Sequence, residues 1–369
     1  MTNKERFNRL MRFEPVDRVP LIEVGCWKET RDQWLKEGMP TGIGLDETTL
    51  TFNGNEYFRL DKQICLGLNP GILPHFEEKV LSEDQGTITI RNTNGAVVKS
   101  LRNSSAMPQF ISFPVNSRQD FQAIKSRYDP KNPERYPADW KKIVASIRQG
   151  EDIVWGPGLG SVGLYSMIRT WMGTENACTI FYDDPALARE MVEFIVEFTL
   201  ELTEPALSEV RIDYFMWWED FSFKNGPLVS PAIFKEFLLP GYFRANEFLK
   251  KKGVEVIFID TDGDPRAVIP LLIQSGINCL YPLEQCKEEM HPAALRREYG
   301  RDLRLWGGID KRALTKGKEE IDRELLSKLP ELLEDGGYLP QLDHLAPPDV
   351  SYRNWLYYLE AKRRICEGR

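Results

Sequence analysis

From about residue 150 to the end of the chain, short apolar runs alternate with long amphipathic segments, and this alternation limits the possible folds most. The predicted strands cover 152–158, 212–220, 255–263, 277–284, 304–310 and 337–344. The predicted helices between them include 185–207, 230–253 and 318–337. Strands separated by helices at this spacing indicate a parallel sheet with helical crossovers. The run 254–259 is largely apolar on both faces, as the sheet of a barrel or a doubly wound fold requires.

The N-terminal third has a different pattern. A short amphipathic helix is predicted over 5–13 and a strand over 18–25. The stretch 40–115 then alternates polar and apolar residues without helical period, and Asn94-Gly95 between two such runs predicts a hairpin. No low-complexity linker flanks this stretch. We therefore predict one domain over 1–369, with 40–115 as a β-rich insertion within it.

Charge and composition exclude several classes of function. The 48 basic and 56 acidic residues give a net charge of -8, which argues against nucleic-acid binding and makes a polyanionic substrate unfavourable. None of the six cysteines forms a C-x-x-C pair. The N-terminus lacks the apolar core of a signal peptide, and no run approaches the roughly 20 apolar residues of a membrane span. A cytoplasmic protein with reduced thiols and no membrane partner is expected.

In parallel α/β proteins, functional side chains collect at the carboxyl ends of the strands. Here those ends carry seven carboxyl groups and one imidazole: Glu219, Asp220, Asp260, Asp262, Glu284, Asp310, Asp343 and His344. So many acids in one place repel one another unless protons, a cation or basic groups intervene. The pattern therefore predicts either a metal or a cationic or proton-exchanging substrate.

Not every one of these acids is expected to take part in chemistry. Asp310 and Asp264 each precede a predicted helix, so N-capping is the simpler interpretation for both. His344 is one of three histidines, ends an apolar strand and precedes two prolines, which favours a functional role. Asp260 and Asp262 flank a Thr after an apolar strand, and at least one of them is expected to be functional.

Two motifs resemble known ligand loops and are set aside. Residues 158–163 fit G-x-G-x-x-G, but the acids about twenty residues later lie before a helix instead of ending a second strand. Residues 260–264 resemble the start of a calcium loop, but Pro265 and Leu271 stand where Gly and Glu are needed. Neither a dinucleotide site nor an EF-hand is predicted.

Four separated segments resemble one family, the uroporphyrinogen-decarboxylase-like superfamily. They are KERFNRLMRFEPVDRVP at 4–20, GPLVSPAIFKEFLLPGYFR at 226–244, GGIDKRAL at 307–314 and GGYLPQLDHLAPPDVSYRNWLYYLE at 336–360. The resemblance implies a (β/α)8 TIM barrel. It also implies one of two activities, because the superfamily holds a haem-pathway decarboxylase and zinc-dependent methyltransferases that use corrinoid proteins.

The chain is more similar to the methyltransferase branch. The decarboxylase branch carries an Arg-rich opening, where this chain offers only Lys28 and Arg31. The methyltransferase branch holds zinc through an H-x-C-G motif and a later Cys, and here the residues at 260–263 and the His344 region take those places. The resemblance thus implies an oxygen-rich site for zinc or a harder divalent metal, with four candidate ligands: Asp260, Asp262, Glu284 and His344.

The preferred interpretation is a metal-assisted, corrinoid-linked methyltransferase that demethylates a small substrate. His344 and Asp260 are the predicted catalytic residues, with Glu219 as a proton acceptor. The predicted substrate contacts are Asp262, Tyr165, Trp217, Trp218 and Lys28. A separate protein would supply the corrinoid, because no cobalamin-binding module is evident, and a homodimer is one possible assembly.

Two alternatives stay open. The first is a decarboxylase of a uroporphyrinogen-like or smaller acid, with His344 and Asp260 as an acid–base pair and no cofactor. The second is a ligand-binding barrel without catalysis.

Overall fold

The computed structural model describes residues 1–45, 51–102, 107–158 and 162–368. Within these residues lie the following strands: β1 (Gln63–Cys65), β2 (Lys79–Glu83), β3 (Thr87–Arg91), β4 (Val97–Leu101), β5 (Gln109–Ser112), β6 (Ile153–Gly156), β7 (Tyr214–Trp218), β8 (Ser222–Phe223), β9 (Gly226–Pro227), β10 (Val256–Asp260), β11 (Cys279–Tyr281), β12 (Arg304–Trp306) and β13 (Tyr338–Leu339).

The helices are α1 (Asn3–Met11), α2 (Lys28–Lys36), α3 (Arg118–Lys125), α4 (Trp140–Gln149), α5 (Leu164–Asp183), α6 (Pro185–Glu209), α7 (Pro231–Ile233), α8 (Leu239–Lys251), α9 (Ile269–Gln274), α10 (Pro292–Tyr299), α11 (Lys318–Leu326), α12 (Leu329–Asp335) and α13 (Tyr352–Cys366). Short 3-10 turns cover Pro133–Arg135, Glu288–Met290, Gly300–Asp302 and Lys311–Thr315, and a π-helical turn covers Phe234–Leu238. Among the described residues, no helix is long and apolar enough to cross a membrane.

Seven strands form one parallel sheet in the order β1-β6-β7-β10-β11-β12-β13. All six strands predicted after residue 150 are present in it, each shorter than its apolar run. The longest pairing joins β7 to β10, from Tyr214 opposite Val256 to Trp218 opposite Asp260. Because all these strands are parallel, their carboxyl ends lie at the same edge. The predicted α/β class with a parallel sheet is confirmed.

The parallel sheet is strongly curled. The rings of Tyr214 on β7 and Trp306 on β12 have centroids 5.2 Å apart, although β10 and β11 lie between those strands in the sheet. In a flat sheet three strand spacings would separate them by roughly 14 Å. The side chains on the concave face therefore converge on one interior space.

The strand predicted over 18–25 is not a regular strand. Pro20 has no N–H to donate, and the Leu21 N–H is taken by the Asp61 carboxylate at 2.8 Å. The Glu23 carboxylate accepts from the Leu342 N–H at 3.1 Å. Side chains thus occupy positions that ladder hydrogen bonds would fill, and only isolated bridges at Gly25 and Cys26 are present.

Strands β2 to β5 form a separate antiparallel sheet. The hairpin predicted at Asn94-Gly95 is confirmed, with a turn over 92–96 instead of two residues. Asn92 Oδ1 accepts from the N–H groups of Asn94 and Ala96, and Gly95 takes the positive φ of 86° that the turn needs. This sheet lies inside the stretch 40–115. That this stretch is an insertion within the domain stays a prediction.

The predicted helices are present, with two interruptions. The start of α6 is as predicted, because the Asp184 side chain accepts from the Leu187 N–H at 2.9 Å and Pro185 follows it. The stretch 230–253 contains the π-helical turn, and 318–337 divides into α11 and α12. Pro330 near the start of α12 lacks the N–H that a continuous helix would require.

Candidate active site

Every second residue of each sheet strand directs its side chain into the interior of the curled sheet. On β7, Tyr214, Met216 and Trp218 line an interior cavity, whereas Phe215 and Trp217 are buried on the other face. This alternation follows from the two-residue period of a strand. One strand therefore contributes three side chains to the interior.

The deeper space, called here the ring-lined cavity, has a volume of about 470 Å³. Six aromatic rings from five strands face it: Trp155, Tyr214, Trp218, Phe258, Tyr281 and Trp306. Two glutamines fix some of these rings, since Gln341 accepts from the Trp306 indole at 2.6 Å and Gln63 accepts from the Tyr214 hydroxyl at 2.8 Å. The cavity is mostly apolar with a few placed polar groups, as small-molecule sites usually are.

A second space, called here the mouth pocket, lies at the carboxyl ends of the strands and has a volume of about 260 Å³. Its described lining is Val24, Trp218, Glu219, Asp220, Asp260, Thr261, Asp262, Tyr281, His344 and Leu345. Val24, Trp218, Asp260 and Tyr281 line both spaces, so the two are adjacent. Neither described lining contains a Lys or an Arg.

Several strand-end acids have their own basic partner. Asp220 pairs with Arg169 from α5. Lys311 lies 3.4 Å from the Asp343 carboxylate and 3.7 Å from that of Glu284. These ion pairs neutralise part of the negative charge at the strand ends.

Asp310 caps the 3-10 turn Lys311–Thr315, as expected. The cap predicted at Asp264 is wrong, because α9 begins only at Ile269 and Val268 is its cap residue. Asp310 accepts from the Arg312 N–H at 2.8 Å and pairs with its guanidinium. Asp264 accepts from Arg266 and also pairs with Lys287 at 2.9 Å. Those bonds hold the pKa of the Asp264 carboxyl well below its usual range.

Asp260 is different, because no described residue donates a hydrogen bond to its carboxyl or forms an ion pair with it. Burial raises its pKa well above the ordinary value, and the nearby carboxylates of Asp262 and Asp220 raise it further. The protonated form is therefore favoured. Burial also raises the pKa of Asp262, while the charge of His344 lowers it.

Glu219 is fully buried and acts as the cap of α5. Its two carboxyl oxygens accept from the N–H groups of Tyr165 and Ser166, from the Ser166 hydroxyl and from the Tyr242 hydroxyl. Burial raises its pKa, and these donors lower it in part. Three of these contacts come from the first turn of α5 and are those of a helix cap, whereas the fourth comes from Tyr242 on α8. The role of proton acceptor stays a prediction.

Gly163 allows this close approach between α5 and β7. A Cβ at residue 163 would lie 2.1 Å from the carbonyl oxygen of Trp218 and 2.7 Å from the Glu219 carboxyl carbon. Gly163 is the last glycine of the G-x-G-x-x-G stretch, of which 159–161 lie outside the described residues. The close packing of α5 against β7 therefore explains why residue 163 is a glycine.

The structure gathers five of the nine predicted site residues at the mouth pocket: Asp260, Asp262, His344, Glu219 and Trp218. The other four, Glu284, Tyr165, Trp217 and Lys28, line neither space. Glu284 faces Lys311 instead and accepts from the Gly263 N–H at 3.0 Å. His344 is also stacked on the exposed ring of Trp27.

Three predicted substrate contacts are corrected by this placement. Tyr165 is buried in α5, with its hydroxyl 3.2 Å from the Cys178 sulfur. Trp217 lies on the outer face of β7, where its indole donates to Asn246 at 2.8 Å. Lys28 is exposed as the first residue of α2. Strand parity places Trp217 away from the cavity, and helix packing does the same for Tyr165.

The four proposed metal ligands do not form a metal-binding set. Within the described residues, no group of three or more His, Cys, Asp and Glu side chains has an arrangement that could hold a metal ion. Glu284 is engaged by Lys311, and the burial of Asp260 favours its protonated form, which is a poor ligand. The donors present therefore do not fit the metal, and no step through a metal is derived.

Sequence reasoning missed most of the ring-lined cavity. Trp155, Phe258 and Trp306 were assigned no role, although alternate positions on β6, β10 and β12 were a usable signal. Thr261 was missed as well. It is 3 % exposed, lines the mouth pocket, and its buried hydroxyl has no hydrogen-bond partner in the described part of the chain.

Comparisons with known proteins agree with this architecture. The sequence profile of the family described as uroporphyrinogen decarboxylase (URO-D) matches residues 95–365. A methyltransferase from Methanosarcina mazei is similar in structure, with a TM-score of 0.59 and 16% sequence identity over 98% of each chain. That identity is low, so the likeness shows a shared fold. The search of curated proteins gives no match.

Proposed function

The chain belongs to the uroporphyrinogen decarboxylase (URO-D) family, and from that premise we propose that it is an enzyme that removes a methyl group from a small substrate. The methyl acceptor in this proposal is a corrinoid carried by a separate protein. Substrate would bind in the ring-lined cavity, with its reacting end at the mouth pocket. The methyltransferase from Methanosarcina mazei shares the fold of this chain, and its named activity is the one that we propose here.

We also place the segment 18–25 in the eighth strand position of a (β/α)8 barrel. The Asp61 N–H donates to the Leu21 carbonyl at 2.8 Å on one side of this segment. On the other side, Glu23 accepts from the Leu342 N–H and pairs with Lys362 of α13. These contacts on both sides support closure of the sheet through an irregular eighth strand.

One observation carries the choice of reaction: the described linings of both spaces contain aromatic rings and carboxyls but no Lys or Arg. A porphyrinogen with eight carboxylates needs several basic partners, and Arg is best suited to hold a carboxylate. Such a substrate would instead meet Asp260 and Asp262. A small neutral or cationic methylated compound suits this lining better.

The proposed step is a displacement at the methyl carbon. The bond between the methyl carbon and its donor atom breaks, and its electron pair stays on the donor atom. When bound, the corrinoid supplies the nucleophile that receives the methyl group. The rings of Trp218 and Tyr281 would orient the donor and keep water away, since both line the two adjacent spaces.

Asp260 and His344 would control charge at the donor atom. The protonated carboxyl of Asp260 can donate its proton to the leaving oxygen of a neutral methyl ether. A cationic donor leaves as a neutral amine and needs no such proton. His344 lines the same pocket as Asp262, and a charge on its imidazole would lower the pKa of that carboxyl.

The test is turnover of methylated donors by the purified protein together with a reduced corrinoid protein. We expect demethylated product and methylated corrinoid in equal amounts. Asp260→Asn should lower kcat at least tenfold, because a charge-controlling group at the reacting end is removed. Asp310→Asn is the matched control, since Asp310 is a strand-end acid outside both spaces. Failure of methyl ethers and methylamines alike would overturn the proposal.

A decarboxylase is the second candidate, because Asp260 and His344 line the same pocket and could act as an acid–base pair. Release of CO2 from a small carboxylic acid or a porphyrinogen, without corrinoid, would favour it. Ligand binding without turnover in either assay would instead indicate a barrel that does not catalyse.

A further inference from the structure

We infer that the methyl donor is a methylated ammonium compound, whose methyl groups lie among the rings while its positive charge faces Asp260 and Asp262. This inference rests on the proposed function and names its substrate class. Three observations carry it: the charge balance of the mouth, the ring walls, and a buried hydroxyl without a partner.

The first observation is which acids at the mouth have no basic partner. Asp220 has Arg169, and Glu284 shares Lys311 with Asp343. Among the described residues, Asp260 and Asp262 have no ion pair, and both line the mouth pocket. Asp260 and Asp262 are therefore the two carboxyls beside the ring-lined cavity that a bound cation can pair with. The proton that burial favours on Asp260 goes to solvent when the cation binds.

The second observation is the composition of the cavity wall. Three of its six rings are tryptophans, Trp155, Trp218 and Trp306, and the indole face attracts cations most strongly among aromatic side chains. Quaternary ammonium groups are commonly recognised by such ring-lined sites. Since no Lys or Arg stands in the described lining, no side chain there competes for the ring faces.

The third observation is the hydroxyl of Thr261, between the two unpaired acids in sequence. Its side chain is 3 % exposed and lines the mouth pocket, yet the hydroxyl has no partner among the described residues. A buried polar group without a partner costs free energy, so a ligand that supplies one is favoured. The oxygen can accept from an ammonium N–H or point its negative end at a quaternary nitrogen.

An ammonium compound as methyl donor also suits the side chains that the mouth pocket offers for catalysis. When the N–CH3 bond breaks, the methyl group goes to the corrinoid nucleophile of the proposed function and the electron pair stays on nitrogen. The nitrogen loses its positive charge and leaves as a neutral amine. The step consumes no proton from the protein and needs no Lewis acid at the leaving atom, which suits a mouth without a metal-binding set among its described residues.

The experiment compares three probes of one shape and different charge, by calorimetry and tryptophan fluorescence. Choline is the cation, 3,3-dimethylbutan-1-ol the neutral isostere and 3,3-dimethylbutanoate the anion. We expect choline to bind at least tenfold more tightly than the alcohol and the anion not to bind. Asp260→Asn should weaken choline at least tenfold and leave the alcohol unchanged, while Asp310→Asn should change neither.

Several outcomes would overturn the inference: equal binding of choline and the alcohol, tighter binding of the anion, or no binding of any probe. The unfolding temperature of each variant separates a lost contact from a lost fold. The proposed function fails separately. Methyl transfer from a neutral ether without choline binding would keep that function and overturn the inference. Selective choline binding without any methyl transfer would overturn that function and leave only the cation site of this inference.

Discussion

The Glu219 carboxylate accepts hydrogen bonds from both the amide and the hydroxyl of Ser166, each at 2.9 Å. The side chain at the end of β7 thereby fixes the first turn of α5. It also holds in place the edge of the mouth pocket that Trp218 lines.

Replacing Glu219 with Gln should lower the free energy of unfolding by about 1–3 kcal/mol, because the amide NH2 would face buried N–H donors that lose their acceptor. Urea unfolding measures this change. Glu247→Gln is the control, since Glu247 forms an exposed pair with Lys250 and should change stability by less than about 1 kcal/mol. A loss no greater than that of the control would contradict the capping role.

Replacing Gly163 with Ala should destabilise the protein by about 1–3 kcal/mol, because the new Cβ would overlap the Trp218 carbonyl oxygen 2.1 Å away. The variant should also weaken ligand binding by shifting Trp218. Gly86→Ala is the matched control, because its nearest neighbour atom would lie 3.9 Å away. Thermal unfolding of both variants measures the destabilisation. Equal shifts of the unfolding temperature would contradict the close approach of α5 and β7 at Gly163.

Replacing Lys362 with Met should cost about 3–5 kcal/mol, because it leaves the buried Glu23 carboxylate without its cation. The double variant with Glu23→Gln should regain part of that loss. Lys250→Met, which breaks only an exposed pair, should cost less than about 1 kcal/mol. If the double variant were no more stable than Lys362→Met, the ion pair would not be what joins the segment 18–25 to α13.

Asp260→Asn should make the protein more stable at neutral pH and less active. Burial and the charges of Asp262 and Asp220 raise the pKa of Asp260 in the folded state, so folding retains a proton that the unfolded chain releases near pH 4. The native protein therefore loses stability as the pH rises from about 4 toward the folded pKa, at about 1.4 kcal/mol for each pH unit. The Asn variant has no such loss.

Urea unfolding at pH 5 and pH 8 tests this directly. The stability of Asp260→Asn relative to the native protein should be greater at pH 8, by about 1 kcal/mol or more. A difference of the opposite sign would mean that Asp260 is stabilised as a carboxylate by a group the structure does not place beside it.

The sequence predicted the parts of this protein that depend on local periodicity. Six strands of the parallel sheet, the start of α6 at residue 185 and the hairpin at Asn94-Gly95 were each predictable from a few neighbouring residues. The irregular segment 18–25 was not, because its hydrogen-bond partners are distant in the sequence: the Asp61 side chain accepts from the Leu21 N–H, and the Ala346 N–H donates to the Gly25 carbonyl. The same limit applies to Trp217, whose hydrogen-bond partner Asn246 lies on α8.

By itself, then, the sequence determined that acids and one imidazole stand at the ends of parallel strands. Only the tertiary structure decided which of them share a pocket, which have a basic partner, and that rings from β6, β7, β10, β11 and β12 meet in one cavity. The reason is physical: strand periodicity is set by adjacent residues, whereas contact across a curled sheet depends on register and curvature, which arise from long-range packing.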